Sequence, residues 1–213
     1  MFKTTAKYHE LIDAYATMAR EGYRRRSGQD VPGDKVYSDQ EALKFRRELK
    51  PLFEAHSIAS VLDYGAGGGD WREKMVPEGG TLAEFLGVDD YRAFEPARDR
   101  DDRATVDAVV CFDVLEHIFL GDIGYVLADL YAQASKLVVI NVAIYPAAAM
   151  LPNGENAHIT VRPAQWWKGA IDVVASAWPQ ITTVLFCSEA YNRASRFEPI
   201  RFEDINSAPG FVR

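Results

Sequence analysis

Residues 58–70, Ile-Ala-Ser-Val-Leu-Asp63-Tyr-Gly65-Ala-Gly67-Gly-Gly69-Asp70, constrain the fold more than any other stretch of the chain. The short apolar run Ile58 to Leu62 has the length and composition of a buried strand. It ends in an acid, and glycine then occupies every second position. Glycines after a parallel strand permit a tight turn and a close backbone approach to a ligand at the carboxyl end of the sheet. Asp63 sets an anion beside that ligand. An ammonium or sulfonium group suits such a position better than a pyrophosphate.

The dinucleotide fingerprint G-x-G-x-x-G, begun at Gly65 and Gly67, requires Gly or Ala at position 70. The chain has Asp70 there, and an acid repels a phosphate at a helix N-terminus. The spacing found is D-x-G-x-G-x-G at 63, 65, 67 and 69. It resembles the first motif of class I S-adenosylmethionine-dependent methyltransferases at all four positions. A second stretch, Asp107-Ala-Val-Val-Cys-Phe-Asp113-Val114-Leu115-Glu116-His117-Ile118, is similar to the fourth-strand motif of the same family, D-x-V-x-x-x-D-V-L-E-H-I.

The alternation of strand and helix signals downstream independently predicts an α/β fold, a doubly wound and mostly parallel sheet covered on both faces. Strands are expected at Glu84–Asp89, Ala108–Phe112, Leu137–Val142, Ile181–Cys187 and Ser195–Phe202. An amphipathic helix with Ile123, Val126, Leu127, Leu130 and Tyr131 on one face is expected after an Asp122 cap. Pro163 suits the first turn of another helix, carrying Trp167, Ile171 and Val174. Ahead of the first strand, residues 5–26 read as a helix. A second helix begins at Ser38, where Glu41 completes a capping box, and Pro51 kinks or ends it. The 213 residues suit one domain, with a helical cap over 1–56, a Rossmann-like core over 57–213 and a substrate loop at about 143–165.

The resemblance implies a Rossmann-like fold, S-adenosylmethionine as cofactor and S-adenosylhomocysteine as product. Asp63 and the turn Tyr64, Gly65, Ala66 and Gly67 then hold the methionine end. Asp89, 22 residues after Gly67, holds the ribose hydroxyls, with Asp90 as the fallback. Asp113, Val114 and Leu115 line the methionine part, and His117 lies near the transfer site. Only 17 residues separate Asp89 from Asp107, about half the family's usual interval. Residues 90–106 are polar and show no clear strand, so the third strand is expected to be reduced. Tyr91 and Phe94 are the aromatic candidates for adenine, with packing as the alternative.

Beyond the fourth strand the chain is dense in polar and aromatic groups: Tyr145, then Asn153-Gly-Glu155-Asn156-Ala-His158, then Trp166-Trp167. Loops past strand ends carry function in such folds. The run is similar to one in bacterial and phage methyltransferases, N-G-x-N-A-H followed by P-x-x-W-W. His158 is the candidate base, since imidazole exchanges a proton near neutral pH. Tyr145, Asn153, Asn156 and Trp166 are candidates for binding a small polar acceptor, such as a sugar or nucleotide-linked metabolite. Both histidines have a structural alternative, and Tyr8, His9, Tyr15 and Tyr37 are candidates to face the cavity under the cap. Glu116, His117 and His158 are of metal-ligand type, but their spacing matches no metal motif, and no metal is expected.

The net charge of −7 argues against a nucleic-acid partner, which usually meets a basic stripe. The one compact basic cluster, Arg24–Arg26, reads as a solvated helix end. No apolar run is long enough to cross a membrane, and Met-Phe-Lys-Thr-Thr lacks a signal-peptide core. Cys111 and Cys187 lie in apolar strand-like runs, so buried free thiols and a cytoplasmic setting are expected. A methyltransferase of a protein or RNA, and a non-catalytic cofactor-binding module, are the alternatives. Monomer and homodimer are both open.

Overall fold

The computed structural model describes residues 3–33, 36 and 41–190, and the backbone of Pro199–Phe202. Helix α1 (Ala6–Glu21) is followed by a two-stranded hairpin, β1 (Tyr23–Arg24) and β2 (Asp30–Val31). Next come α2 (Glu41–Lys44), α3 (Arg46–His56), β3 (Ser60–Tyr64), α4 (Leu82–Leu86), β4 (Asp90–Glu95) and β5 (Arg100–Asp101). The chain continues through β6 (Val106–Phe112), α5 (Ile123–Gln133), β7 (Ala134–Ala143), α6 (Ala164–Ala175), β8 (Thr182–Ser188) and β9 (Pro199–Phe202). The main sheet has the order β5-β4-β3-β6-β7-β8-β9. Its five inner strands are parallel, and β5 and β9 run antiparallel at the edges. This is an α/β architecture compatible with a Rossmann-like fold.

Alternation along the strands explains the layering. In β6, Val109 and Cys111 face α5 and α6, where they meet Leu127, Leu130, Trp167 and Ile171. Ala108, Val110 and Phe112 face the other way, toward Phe45, Leu49, Phe53 and Leu82. A strand covered on both faces must be apolar at every position, and β6 is buried at every position except Asp107. Each fully buried aliphatic or aromatic side chain stabilises the fold by about 1.5–3 kcal/mol. Helix α1 meets this sheet core through Tyr8. Its Leu11 and Met18 pack on Ala147, Leu151 and Ala157, so it lies over the segment that follows β7. Both cysteines are buried and free. Among the described residues no helix is long and apolar enough to cross a membrane.

Several sequence expectations are corrected. The helix expected over 5–26 ends at Glu21, because Gly22 turns away at φ 89°. Arg24–Arg26 therefore lie in and beside the hairpin, not on a helix end. Ser38 and Tyr37 fall outside the described residues, as do residues 195–198 of the last expected strand. The helix does not end at Pro51. It runs on to His56, since burial of Leu49 and Phe53 offsets a cost of about 3 kcal/mol for an interior proline.

Asp122 precedes α5, but its side chain makes no cap bond there. It accepts instead from the Thr5 N–H and hydroxyl, each at 2.7 Å, and so pins the start of α1. Glu84–Asp89 is not a strand. Thr81 and Glu84 form a reciprocal capping box, and Gly87 closes the short α4 in the left-handed region. The strand is β4, within the interval that shows no clear strand by sequence. The third-strand region is reduced to the two-residue antiparallel β5.

Asp107 ties the starts of two strands together. Its Oδ2 accepts from the Ala59 and Ser60 N–H groups at 3.0 and 3.2 Å, and Lys136 pairs with it at 2.8 Å. Partial burial pushes its carboxyl up, but Lys136 and the two amides outweigh this and hold it below the ordinary aspartate range. A lowered folded-state value means stability that is present above the unfolded value of about 3.9 and is lost as pH falls through the lower folded one. Asp107→Asn is therefore expected to lower the denaturation midpoint at pH 7 and to leave it nearly unchanged near pH 2. Denaturant titrations at the two pH values check this.

Candidate functional site

The strand order reverses between β4 and β6, on either side of β3. In open α/β sheets the crevice outside the carboxyl ends at such a reversal is where ligands bind. A cavity of about 870 Å³ opens there, within the range of small-molecule and cofactor sites. Its floor comes from the sheet edge and its roof from α1 and the hairpin, through Tyr8, Leu11, Tyr15, Tyr23 and Arg25. His9 lies outside the lining and contacts Thr4 instead.

The glycine turn is held tightly. Gly65 and Ala66 both donate to the Phe94 carbonyl, at 2.7 and 3.2 Å. Gly65 has φ 86°, and a Cβ there would come within 2.3 Å of Val114 Cγ2. Asp63, 5 % exposed, accepts from the Tyr91 hydroxyl at 3.1 Å and lines the cavity. Tyr64, Gly65, Ala66 and Gly67 line it as well. Tyr64 turns its hydroxyl away to Asp129, at 2.7 Å. Asp70 is engaged by Arg72 and lies outside the lining. No helix follows the turn until Leu82.

Asp89 and Asp90 are not at the site. Asp90 pairs with Ser60, the first residue of β3, so both acids lie at the amino edge of the parallel sheet. Both are exposed, and Asp90 is ion-paired with Arg92. The acid at the carboxyl end of β4 is Glu95. Its Oε2 accepts from the Gly67 N–H at 2.8 Å and its Oε1 from the Ala97 N–H at 3.1 Å. Burial pushes its carboxyl above the ordinary glutamate range, and the two amides oppose this. Sequence reading passed over Glu95 because Phe85, Leu86 and Val88 mimic a strand that ends at Asp89. The alternation of buried Tyr91 and Ala93 with polar Asp90 and Arg92 was the available signal. Phe94 lines the cavity, whereas Tyr91 stacks on the buried Trp71.

Beyond β6, Asp113 adopts φ 53°. It is fixed by Asn141, whose Nδ2 donates to its Oδ1 at 2.5 Å and whose carbonyl accepts from its N–H at 3.1 Å. Ser188 in turn donates to Asn141 Oδ1 at 2.7 Å. Asp113 and Val114 line the cavity. Leu115 does not; it is fully buried in the core at the start of a short helical turn over Leu115–His117.

That turn brings His117 to the cavity, and the loop after β7 brings His158 beside it. The two rings meet edge to face, with centroids 4.7 Å apart. His117 Nδ1 lies 3.0 Å from the Ala157 carbonyl and 2.9 Å from the Tyr15 hydroxyl. His158 Nδ1 lies 2.6 Å from the Tyr145 carbonyl. A carbonyl only accepts, so each imidazole carries its proton on Nδ1, and no hydrogen bond engages either Nε2 among the described residues. Burial, with His158 beside it, pulls His117 down to about 3, and burial lowers His158 too. Both rings are therefore neutral at pH 7.

The remaining loop residues divide. Tyr145 lines the cavity. Asn156 is structural: it accepts from the Ala147 N–H and donates to the Ala147 carbonyl, both at 2.9 Å, and accepts from the His158 N–H at 3.1 Å. It places His158 without reaching the cavity. Asn153 is exposed and bonds only within its own turn, to Glu155. Trp166 packs against Trp167 on the α6 side of the sheet. These three are removed from the acceptor set, because their side chains are spent on loop or core contacts.

No family model matches the chain, and no curated protein or solved structure does either.

Proposed function

We propose that this protein is an S-adenosylmethionine-dependent methyltransferase acting on a small polar acceptor. The observation that carries this reading is the gathering of Asp63, the Gly65–Gly67 turn, Glu95 and Asp113 around one cavity at the strand reversal. Asp63 offers an anion to the ammonium group of the methionine end. The turn lets the ligand lie against the backbone, and Glu95 is the acid for the ribose hydroxyls. The bound cofactor supplies an electrophilic methyl group on a sulfonium. The protein must then bind, align and exclude water, and alignment alone is worth several orders of magnitude in rate.

The roof formed by α1 and the hairpin favours a small acceptor over a macromolecule. Tyr8, Tyr15, Tyr145 and the two histidines offer it hydroxyl and imidazole groups. His117 and His158 suit orientation better than deprotonation, because burial disfavours the imidazolium that a base must become. Incubation with methyl-labelled S-adenosylmethionine and a fractionated metabolite extract tests the proposal. Label is expected in a low-molecular-weight product. Label confined to protein or RNA, or none transferred to any fraction, would contradict it.

A further inference from the structure

Within the Asp113–His117 stretch, Glu116 is the polar residue that the cofactor reading leaves without a task. It is fully buried. Its Oε1 accepts from the Ala143 N–H at 2.7 Å. Its Oε2 is also buried and has no hydrogen-bond partner among the described residues. Leaving a carboxylate oxygen buried and unmatched costs about 1–3 kcal/mol or more, so an arrangement that keeps one needs a reason. One ligand-capable atom from each of Glu116, His117 and His158 lies within 4.8 Å of the others.

The geometry points to a divalent transition-metal site formed by Glu116, His117 and His158, in which the ion occupies the place beside the unmatched Glu116 oxygen. Three independent features fit it. The donor set is two imidazoles and one carboxylate, which first-row divalent ions accept. Each ligand side chain is already held through one polar atom, which leaves its second free for an ion: His117 Nδ1 by the Ala157 carbonyl and Tyr15, His158 Nδ1 by the Tyr145 carbonyl, and Glu116 Oε1 by the Ala143 amide. Metal-bound histidines usually show this support, with one ring N–H held by a carbonyl or carboxylate so that the other nitrogen faces the ion. Finally, both histidines line the cavity, which gives an entry path and leaves coordination positions open to it. Tetrahedral coordination at about 2.0–2.2 Å sets ligand atoms about 3.3–3.6 Å apart, so the three side chains must close by up to about 1.5 Å to hold the ion.

The sequence hides this site, because Glu116 and His117 are adjacent and His158 arrives 41 residues after His117. No local motif joins them; the ring contact and the Asn156-braced loop do. Mixed nitrogen and oxygen donors predict preference for Zn²⁺, Co²⁺ or Mn²⁺ over Mg²⁺, which prefers oxygen alone. An ion here would take an acceptor hydroxyl on its open side and lower that hydroxyl's pKa, supplying the activation that buried imidazoles supply poorly. That catalytic consequence rests on the methyltransferase reading; the binding itself does not.

The test is titration of the chelator-stripped protein with Co²⁺, followed by visible absorption and equilibrium dialysis. One equivalent is expected, with d–d bands unlike those of the aqua ion and displaced by Zn²⁺. Glu116→Gln keeps the shape and the Oε1 acceptor, and it is expected to lose affinity by more than about 100-fold, beyond what loss of an orienting group does. His158→Gln is expected to do the same. No uptake by the wild type, or uptake by both variants equal to the wild type, would overturn the site. Should either variant fail to fold, the wild-type spectrum decides alone. S-adenosylhomocysteine binding is measured on the same metal-free sample, so failure of the cofactor reading is seen separately from failure of this one.

Discussion

Glu95→Ala is expected to weaken S-adenosylhomocysteine binding by more than about 100-fold. A carboxylate that holds two ribose hydroxyls makes two charge-assisted hydrogen bonds, each worth about 1.5–3 kcal/mol. Loss of about 3 kcal/mol corresponds to about two orders of magnitude in Kd. The same truncation strips the Gly67 and Ala97 amides of their acceptor, so the glycine turn loosens as well. Glu95→Gln separates the two contributions. It keeps one acceptor oxygen and nearly the same shape, and about a tenfold loss is expected. Asp89→Ala and Asp90→Ala are expected to bind as the wild type does, because both acids sit at the opposite edge of the sheet. Isothermal titration of the four variants checks all of this. If Asp89→Ala lost affinity and Glu95→Ala did not, the ribose assignment would be wrong.

Gly65→Ala is expected to destabilise the protein by about 3 kcal/mol and to abolish detectable cofactor binding. The residue has φ 86°, where a side chain adds strain of about 1–3 kcal/mol. Its new Cβ would come within 2.3 Å of Val114 Cγ2, and overpacking of this kind costs about 1–3 kcal/mol more. In a domain of this size that corresponds to a fall in Tm of about 6–12 °C. Val114 is itself part of the cavity wall, so the displacement reaches the ligand. Gly154→Ala serves as the comparison: its φ is 85° but nothing lies within 4 Å of the added Cβ. Strain without a clash should cost less and spare binding. Thermal melts paired with titration distinguish the two.

The parts of the fold visible in the sequence are those where one period runs unbroken. Strand β6 is apolar at nearly every position, and α5 and α6 carry single apolar stripes, so their places follow from pattern alone. The first strand and its glycine turn are equally plain, since the turn needs residues of one kind at one spacing. The second strand was missed for a physical reason. Two rival segments lie in tandem, and the first, 84–89, looks more apolar than the second. Only the Thr81–Glu84 capping box and the Gly87 terminator reveal it as a helix. A displacement of six residues moved the proposed ribose acid from Glu95 to Asp89 and from one edge of the sheet to the other.

The acceptor side was legible in its residue types but not in its roles. His117, His158 and Tyr145 do reach the cavity. Asn153 and Asn156 do not, because short polar side chains in a loop satisfy neighbouring backbone first, and Trp166 does not, because α6 packs it against Trp167 and the core. Which asparagine braces and which faces a ligand depends on loop conformation, and no periodicity encodes that. The same holds for Glu116, whose buried oxygen and two histidine neighbours are brought together only by tertiary packing.

The central claim is that this cavity binds a sulfonium cofactor and its thioether product. Calorimetric titration of the wild-type protein with S-adenosylhomocysteine tests it most directly. The account predicts one binding site per chain, lost in Asp63→Ala and in Glu95→Ala while both variants keep a cooperative thermal transition. Absence of binding by the folded wild type, or unchanged affinity in Asp63→Ala, would contradict it.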